Sequence, residues 1–375
     1  MRLAMGLLMT ATFIATADAA STAVTDFGSN PGALDMFEYV PSALPAGRPL
    51  VVVMHGCTQN AAGMEPAGWN ALADEYQFAV VYPQQRSANQ QLGCFDWFLD
   101  GDISRGGGEA ESIIEMVDTE VAKHGIDRAR VYVTGLSAGA AFTAVMLAAY
   151  PDRFRAGSIM SGIPYRCASD TSSGSTCASN GPMKTAQQWG DLVRAADPGF
   201  IGTYPRVQIW HGSMDYVVAT SNATELVKQW TNVWGTDDTA DAMDMSSNST
   251  RTQYMAGSKV AVELYLVSGM GHAIATGSDP LGECPSTGGA FFADQKICST
   301  LRSAQFFGLL GDGDPSDPGG DGSDGTGSGA DPRGDGGFGG CSTGGRPGSA
   351  VLVALVLLVI TRARGAASAS SRPRS

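Results

Sequence analysis

One stretch, residues 130–154, constrains the fold more than any other part of the chain. It reads RVYVTGLSAGAAFTAVMLAAYPDRF, an apolar β-branched run followed by a glycine-flanked serine and a long apolar segment. The first run predicts a strand, and the last predicts a helix that ends near Pro151. Gly135, Ser137 and Gly139 match the G-x-S-x-G pattern of a sharp strand-to-helix turn that exposes a serine hydroxyl. Glycine is expected at both positions because a side chain there would collide with the neighbouring strand or helix.

Further apolar runs on both sides of this turn predict the rest of a sheet. Most are short, nearly continuous in apolar residues and bounded by glycine or proline, which is typical of buried strands. The predicted strands cover residues 49–56, 78–83, 130–134, 156–162, 206–212 and 262–269. Between them lie segments with helical periodicity, such as residues 111–125. Continuous apolar strands that alternate with helices predict an α/β fold, with a mostly parallel central sheet and helices on both faces.

Residues 1–20 predict a secretory signal peptide. Arg2 precedes an apolar stretch that runs to about Ala15, and Ala17-Asp18-Ala19 offers an A-x-A cleavage site. A core helix is the poorer interpretation because the segment has no polar face. We therefore expect the chain to leave the cytoplasm, as a secreted or cell-surface protein, and its cysteines to be oxidised.

The composition changes sharply after residue 310. Residues 311–340 contain thirteen Gly and seven Asp, which cannot bury a core and predict a flexible linker. Residues 341–375 contain Cys341, the apolar run SAVLVALVLLVI and five Arg, which predict a sorting or membrane-anchor tail. The predicted folded domain is therefore residues 21–310, long enough for one sizeable core.

The chain is acidic, with a formal net charge of −13. The excess of Asp and Glu lies in the predicted domain and the linker, and the domain sequence contains no basic cluster. These features argue against nucleic acid and anionic lipid surfaces as partners. They carry no information on substrate charge, because an acidic surface also keeps a secreted protein soluble.

The predicted domain contains six cysteines, and a seventh lies in the tail. Six cysteines allow fifteen connectivities, so the sequence alone does not fix the pairing. Loop length favours the pairs Cys167–Cys177 and Cys284–Cys298, which leaves Cys57–Cys94. The chain has no C-x-x-C motif and no histidine pair at ligand spacing, so we expect no metal site and no cofactor.

A serine hydroxyl needs a histidine base to act as a nucleophile at neutral pH. In enzymes with this turn, the chain order is nucleophile, then acid, then histidine. His55 precedes the turn, His124 ends a predicted helix, and His211 lies on the strand expected to lead to the acid. His272, in LVSGMGHA, follows the last apolar strand, and we predict it to be the base.

Asp215 is the predicted acid. It lies a few residues after the strand in IWHGSMDYVV, whereas the other carboxylates before His272 lie in polar stretches with no strand before them. Those other carboxylates include Asp170, Asp191, Asp197, Asp237 and Asp241. An acid at Asp215 would hold the histidine in the correct tautomer and stabilise its cation.

Acyl transfer also needs two backbone N–H groups for the negative oxygen that develops on the substrate. One is expected from Ala138, the residue after the nucleophile, and we predict Cys57, on the loop after strand 49–56, for the other. A Cys57–Cys94 bridge would tie this loop to the CFDWF segment. Two interpretations of the bridge stay open, namely stiffening of the oxyanion loop and stability alone.

Taken together, these stretches resemble the polyhydroxybutyrate (PHB) depolymerase family of secreted esterases, which is close to the feruloyl and acetylxylan esterases. The matching stretches cover about residues 50–310 and are VVMHGCTQNA, CFDWF, RVYVTGLSAGAAFTAVMLAAYPDRF, VQIWHGSMDYVV, GMGHA and ICSTLRSAQFFGLL. The resemblance implies an α/β-hydrolase fold and a triad of Ser137, Asp215 and His272, with Cys57 at the oxyanion position. The tail resembles the MYXO-CTERM sorting tails of bacterial surface proteins.

The favoured hypothesis is a secreted, surface-associated serine ester hydrolase that works through an acyl-enzyme on Ser137. Its expected substrate is a polyhydroxyalkanoate-type polyester or its oligomers, and feruloyl or acetylxylan esters of plant polysaccharides are the alternative. A non-catalytic surface-binding protein is the hypothesis of another class. It is disfavoured because Ser137, Asp215 and His272 all occur in the required order. The sequence leaves the oligomeric state open.

Overall fold

A computed structural model describes residues 20–246 and 248–311 of the chain. The predicted signal peptide, the linker beyond residue 311 and the tail all lie outside these residues. Within the described ranges, no helix has both the length and the apolar character needed to cross a membrane.

Ten strands of the described chain form one sheet. They are β1 (Thr22–Val24), β2 (Asp35–Tyr39), β3 (Leu50–Met54), β4 (Ala79–Gln84), β5 (Val131–Leu136), β6 (Ala156–Met160), β7 (Arg206–Gly212), β8 (Ala242–Met245), β9 (Ser249–Ala256) and β10 (Lys259–Val267). Their order across the sheet is β1-β2-β4-β3-β5-β6-β7-β10-β9-β8. The six central strands are parallel to one another and are β4, β3, β5, β6, β7 and β10. At one edge β2 pairs antiparallel with β4 and β1 pairs antiparallel with β2, and at the other edge β9 pairs antiparallel with β10 and β8 pairs antiparallel with β9. The predicted α/β class with a mostly parallel sheet is confirmed.

Helices pack on both faces of this sheet. They are α1 (Trp69–Tyr76), α2 (Gly108–His124), α3 (Ala138–Ala149), α4 (Thr171–Asn180), α5 (Ala186–Arg194), α6 (Ser221–Trp234) and α7 (Ser299–Phe307). In the all-buried strand β3, Leu50 and Val52 join the core that includes α2, α3 and α6, whereas Val51 and Val53 join the core that includes α1 and α7. This alternation is what a strand covered on both faces requires. A separate parallel pair, β11 (Ile274–Thr276) and β12 (Phe292–Asp294), lies outside the main sheet.

The parallel arrangement determines where the predicted site residues lie. The carboxyl ends of parallel strands meet at one edge of a sheet, and ligands bind in the crevices there. Cys57 follows β3, Ser137 follows β5, Asp215 follows β7 and His272 follows β10. All four predicted site residues therefore lie on loops at the same edge of the sheet.

Three disulfides join the six cysteines of the described chain. The pairs are Cys57–Cys94, Cys167–Cys177 and Cys284–Cys298, as loop length favours. The first bridge spans 37 residues and closes a larger loop than the others, which span 10 and 14 residues. Stable disulfides of this kind fit an oxidising compartment.

The structure also gathers basic residues that are scattered in the sequence. A cavity of about 300 Å³ at the amino-terminal edge of the sheet is lined in part by Arg153, Arg155, Arg206 and Lys259. Asp118 forms an ion pair with Arg153 in this region. The cluster forms because the amino ends of β6, β7 and β10 meet here, at the edge of the sheet opposite the edge that carries the predicted site.

Candidate active site

Ser137 lies in a sharp turn between β5 and α3. Its backbone angles are φ 58° and ψ −118°, a region that residues other than glycine rarely adopt. The turn is held on both sides, because Ser137 N–H donates to Met160 O at 3.0 Å and Ser137 O accepts from Ala141 N–H at 2.8 Å. The strand, turn and helix that the G-x-S-x-G pattern predicts are all present.

The two glycines around Ser137 permit a very close approach of α3 to the sheet. A Cβ atom on Gly135 would lie 2.5 Å from the carbonyl carbon of Gly139. A Cβ atom on Gly139 would lie 2.4 Å from Met54 O and 2.5 Å from His55 O. These distances are far inside van der Waals contact, so the steric reason for glycine in the motif holds at both positions.

Asp215 and His272 form a hydrogen-bonded pair. His272 Nδ1 lies 2.8 Å from Asp215 Oδ2, and the Asp215 side chain is fully buried. The other oxygen, Oδ1, accepts hydrogen bonds from the backbone N–H groups of Val217 at 3.0 Å and Val218 at 2.9 Å. Burial alone would raise the pKa of Asp215, but the hydrogen bond to His272 and the nearby imidazoles outweigh it, so the pKa lies below its ordinary value.

The loops that carry the pair are joined directly by their backbones. Ser213 N–H donates to Val267 O at 2.9 Å, and Met214 N–H donates to Met270 O at 2.9 Å. A Cβ atom on Gly212 would lie 2.2 Å from Met270 O, so only glycine fits at this contact. The acid loop and the histidine loop are therefore held together before any substrate binds.

His211, the second imidazole near the acid, has a supporting position. Its Nε2 lies 2.9 Å from Val218 O and 3.6 Å from Asp215 Oδ2. Burial lowers the pKa of His211, so the ring is neutral and its Nε2–H donates to the Val218 carbonyl. The ring thereby holds the loop whose N–H groups bind Asp215.

His55 holds the loop predicted to stabilise the oxyanion. Its Nε2 accepts from the Gln85 backbone N–H at 3.1 Å, so the ring proton is on Nδ1, which donates to Gly56 O at 2.8 Å. Because a trans peptide has its C=O and N–H on opposite sides, the Cys57 N–H points away from His55. Burial lowers the pKa of His55 to about 4, although the bond to Gly56 acts in the opposite direction. The imidazole is therefore neutral and structural.

The two predicted oxyanion donors are both available. Within the described ranges, neither the Cys57 N–H nor the Ala138 N–H donates a hydrogen bond. Ala138 is the first residue of α3, where a helix leaves its N–H groups without internal acceptors. The two loops also adjoin, because a Cβ atom on Gly56 would lie 3.2 Å from Ser137 Cβ.

A buried polar network, which no sequence motif predicts, supports this loop from behind. The Glu109 carboxylate accepts from Gln85 Nε2 and from the Asp96 backbone N–H, and Gln85 Nε2 also donates to Cys94 O at 3.1 Å. Burial raises the pKa of Glu109 well above its ordinary value. The network links α2 to Gln85, whose backbone N–H holds His55, and to Cys94, which is disulfide-bonded to Cys57.

In the described chain, Ser137 Oγ makes no hydrogen bond to His272 Nε2, a bond that often tightens only when substrate binds.

The other candidate carboxylates have separate partners. Asp170 caps α4, Asp191 pairs with Arg194, Asp197 pairs with Arg105, Asp237 accepts from Thr239 N–H and Asp241 accepts from Met255 N–H. Of the carboxylates weighed from the sequence, Asp215 is therefore the one bonded to His272.

Comparison with known proteins identifies the family. The family model described as Esterase PHB depolymerase matches residues 35–255. The chain is 48% identical to poly(3-hydroxyalkanoate) depolymerase C of Paucimonas lemoignei over 297 aligned residues. The alignment covers 78% of this chain and 71% of that protein. It is 36% identical over 269 residues to feruloyl esterase B of Talaromyces funiculosus, which covers 69% of this chain and 74% of that protein.

A solved structure supports the same assignment. Acetyl xylan esterase from Aspergillus awamori superposes with a TM-score of 0.63 at 32% identity, covering 68% of this chain and 94% of that one. This neighbour agrees with the α/β architecture of the chain. The chain therefore belongs to the PHB depolymerase family of esterases, and it is a carboxylic ester hydrolase of the α/β-hydrolase type.

Proposed function

We propose that the protein hydrolyses esters through a covalent acyl-enzyme on Ser137, with His272 as base and Asp215 as the residue that orients it. The single observation that carries this proposal is the 2.8 Å hydrogen bond between His272 Nδ1 and Asp215 Oδ2, on loops that share a sheet edge with the Ser137 turn. An aspartate on Nδ1 leaves Nε2 free to accept a proton from a serine hydroxyl.

The steps follow from these positions. Ser137 Oγ attacks the ester carbonyl carbon while His272 Nε2 takes the hydroxyl proton. The carbonyl oxygen becomes negative and is bound by the Cys57 and Ala138 N–H groups. His272 then returns the proton to the departing alkoxide, and the alcohol leaves an acyl group on Ser137. Water attacks that acyl group by the same route, releases the carboxylic acid and restores the serine.

The ionised form of Asp215 is essential to this sequence. Its lowered pKa keeps the carboxylate negative at neutral pH, opposite the imidazolium that forms in each half of the reaction. The two backbone N–H bonds on Oδ1 fix the carboxylate so that Oδ2 faces the ring. No step requires a cofactor.

A polyhydroxyalkanoate-type polyester, or its oligomers, is the proposed substrate. The acid loop presents three exposed apolar side chains beside the site, those of Met214, Tyr216 and Val217. Exposed apolar clusters of this kind are suited to binding an apolar ligand. The relative with the higher identity, at 48% against 36%, is the polyhydroxyalkanoate depolymerase rather than the feruloyl esterase.

A panel of substrates tests this assignment. Purified protein is assayed on 3-hydroxybutyrate oligomers, on a feruloylated oligosaccharide and on acetylated xylan, with Ser137→Ala as the matched control. We expect the oligomers to have the highest kcat/KM and Ser137→Ala to lose activity on every ester while remaining folded. A preference for acetylated xylan or feruloyl esters would favour the polysaccharide esterase, and no hydrolysis of any ester would favour a binding protein.

We also propose that the chain is exported and that residues 341–375 serve as a processed sorting signal. The three disulfides support export. The apolar run from Gly348 to Thr361 has fourteen residues, which would span only about 21 Å as a helix, less than the ~30 Å of a bilayer core. The esterase would then be tethered outside the cell through the Gly/Asp linker. Mass spectrometry of the mature protein tests this, because a chain that still contains Val351 to Ile360 contradicts processing.

A further inference from the structure

A second cluster of chemically active side chains lies far from the triad. Glu120 and His124 are one turn apart near the end of α2, and Glu38 on β2 faces them. The end of α2 precedes β5, so this cluster lies towards the amino ends of the parallel strands, opposite the edge that carries Ser137.

The donor atoms of the three side chains have the spacing of metal ligands. His124 Nε2 lies 3.3 Å from Glu38 Oε2 and 3.7 Å from Glu120 Oε2. One ligand atom from each residue lies within 4.8 Å of the other two. Zinc binds imidazole nitrogen and carboxylate oxygen at about 2.0–2.2 Å with tetrahedral geometry, which separates neighbouring ligand atoms by about 3.3–3.6 Å.

Glu120 is the observation that points to a bound ligand. Its side chain is fully buried, and its carboxyl group faces the carboxylate of Glu38 and His124 Nε2, the latter at 3.7 Å. No other group of the described ranges donates a hydrogen bond to it. Two adjoining carboxylates, one of them fully buried, are costly unless a proton or a cation lies between them. The position for a cation is on the side where Glu38 and His124 converge.

The neighbouring positive charge, that of Lys123, does not occupy the position between Glu120, Glu38 and His124. Lys123 Nζ bonds to Glu38 Oε1, so the second oxygen, Oε2, remains directed towards His124. The last turn of a helix also favours a positive charge, because its carbonyl groups point there. A dication would therefore be held by two carboxylates and by the helix end.

We propose that Glu38, Glu120 and His124 bind a zinc-type divalent cation, which fastens the end of α2 to strand β2. Three protein ligands leave the fourth tetrahedral position to water. The site is structural and separate from ester hydrolysis. It also departs from the sequence expectation of no metal site, which considered cysteine motifs and histidine pairs but not one histidine with two acids from different elements.

The test is a zinc titration of the full-length chain, in a Cys341→Ser background, after treatment with a chelator. Calorimetry should show one saturable site per chain, and Co²⁺ in its place should show the visible absorption of a tetrahedral complex. Glu120→Gln should weaken zinc binding by more than about tenfold and abolish the cobalt absorption. Glu75→Gln, the same change on an exposed acid of α1, should bind zinc as the parent does.

Two further variants separate the explanations. His272→Ala should retain the zinc site, which shows that the metal does not bind at the triad. Glu120→Gln should retain ester hydrolysis, which shows that lost binding is not lost folding, and His124→Ala with Co²⁺ repeats the test should Glu120→Gln fail to fold. An unchanged isotherm in both Glu120→Gln and His124→Ala, or no saturable binding to the parent, would overturn the proposal. In the latter case, a proton rather than a cation lies between the two carboxyl groups.

Discussion

Replacing Asp215 with asparagine substitutes one atom, and the surrounding hydrogen bonds determine how the amide must lie. Oδ1 accepts two backbone N–H groups, from Val217 and Val218, so the amide oxygen has to occupy this position. The NH₂ group then faces His272 Nδ1 at the 2.8 Å contact. Because NH₂ is a donor, Nδ1 must accept, and the ring proton moves to Nε2. The imidazole can then no longer take the proton of Ser137.

The size of the effect follows from this tautomer change. Fixing the wrong tautomer in a Ser–His–Asp triad lowers kcat by about 10⁴, or about 5.5 kcal/mol of transition-state stabilisation. The loss is expected in kcat rather than in KM, since the variant removes no contact with the substrate. Stability should change much less, because the amide oxygen retains both backbone bonds.

The assay is the hydrolysis of a soluble chromogenic ester, with thermal unfolding as the folding control. Asp197→Asn is the matched control, because Asp197 is bonded to Arg105 and not to an imidazole. We expect this control to stay within a few-fold of the parent enzyme. An Asp215→Asn variant that keeps more than a tenth of the parent kcat, or an Asp197→Asn variant that loses as much, would refute the reasoning.

Two other predictions concern the oxyanion loop. Serine replacement of the Cys57–Cys94 pair should lower kcat more than replacement of the Cys167–Cys177 pair, because only the first bridge holds that loop; equal losses in both double variants would show that the bridges act on stability alone. Burial lowers the pKa of His55 from 6.5 to about 4, so the unfolded chain takes up a proton on this ring at a higher pH than the folded protein does. The free energy of unfolding is therefore unaffected by this ring above about pH 6.5 and falls by about 3 kcal/mol as the pH falls towards 4. Urea unfolding at about pH 7 and about pH 4.5 should therefore show a weaker pH dependence in His55→Asn than in the parent, and equal dependences would contradict this role.

The central part of the fold could be predicted from sequence because its signals are local. Strand β3, for example, is buried along its whole length and is a continuous apolar run. The outer strands carry no such signal. β8 is exposed at every position and β1 has three residues, so neither shows the apolar pattern of a strand. They form because a neighbouring strand offers unpaired backbone groups, which is not visible in their own sequence.

The site could be predicted only where a motif or a strand end marks it. Asp215 could be predicted in this way because it follows a strand, whereas Gln85 and Glu109 act through contacts between distant parts of the chain. Glu120 shows the limit most clearly. On α2, acids are expected on the solvent side of the helix, but strand β2 places Glu38 beside Glu120, which is buried. A polar residue that tertiary packing buries leaves no periodic signal.

The most direct test of the account is to identify the residue that becomes covalently modified. The purified protein is treated with a serine-reactive alkyl phosphonate, inactivation is followed to completion, and the chain is digested and mapped by mass spectrometry. We expect one adduct per chain, on Ser137, with no adduct in Ser137→Ala and slow labelling in His272→Ala, which lacks the base. Complete inactivation with the adduct on another serine, or full ester hydrolysis by Ser137→Ala, would contradict it.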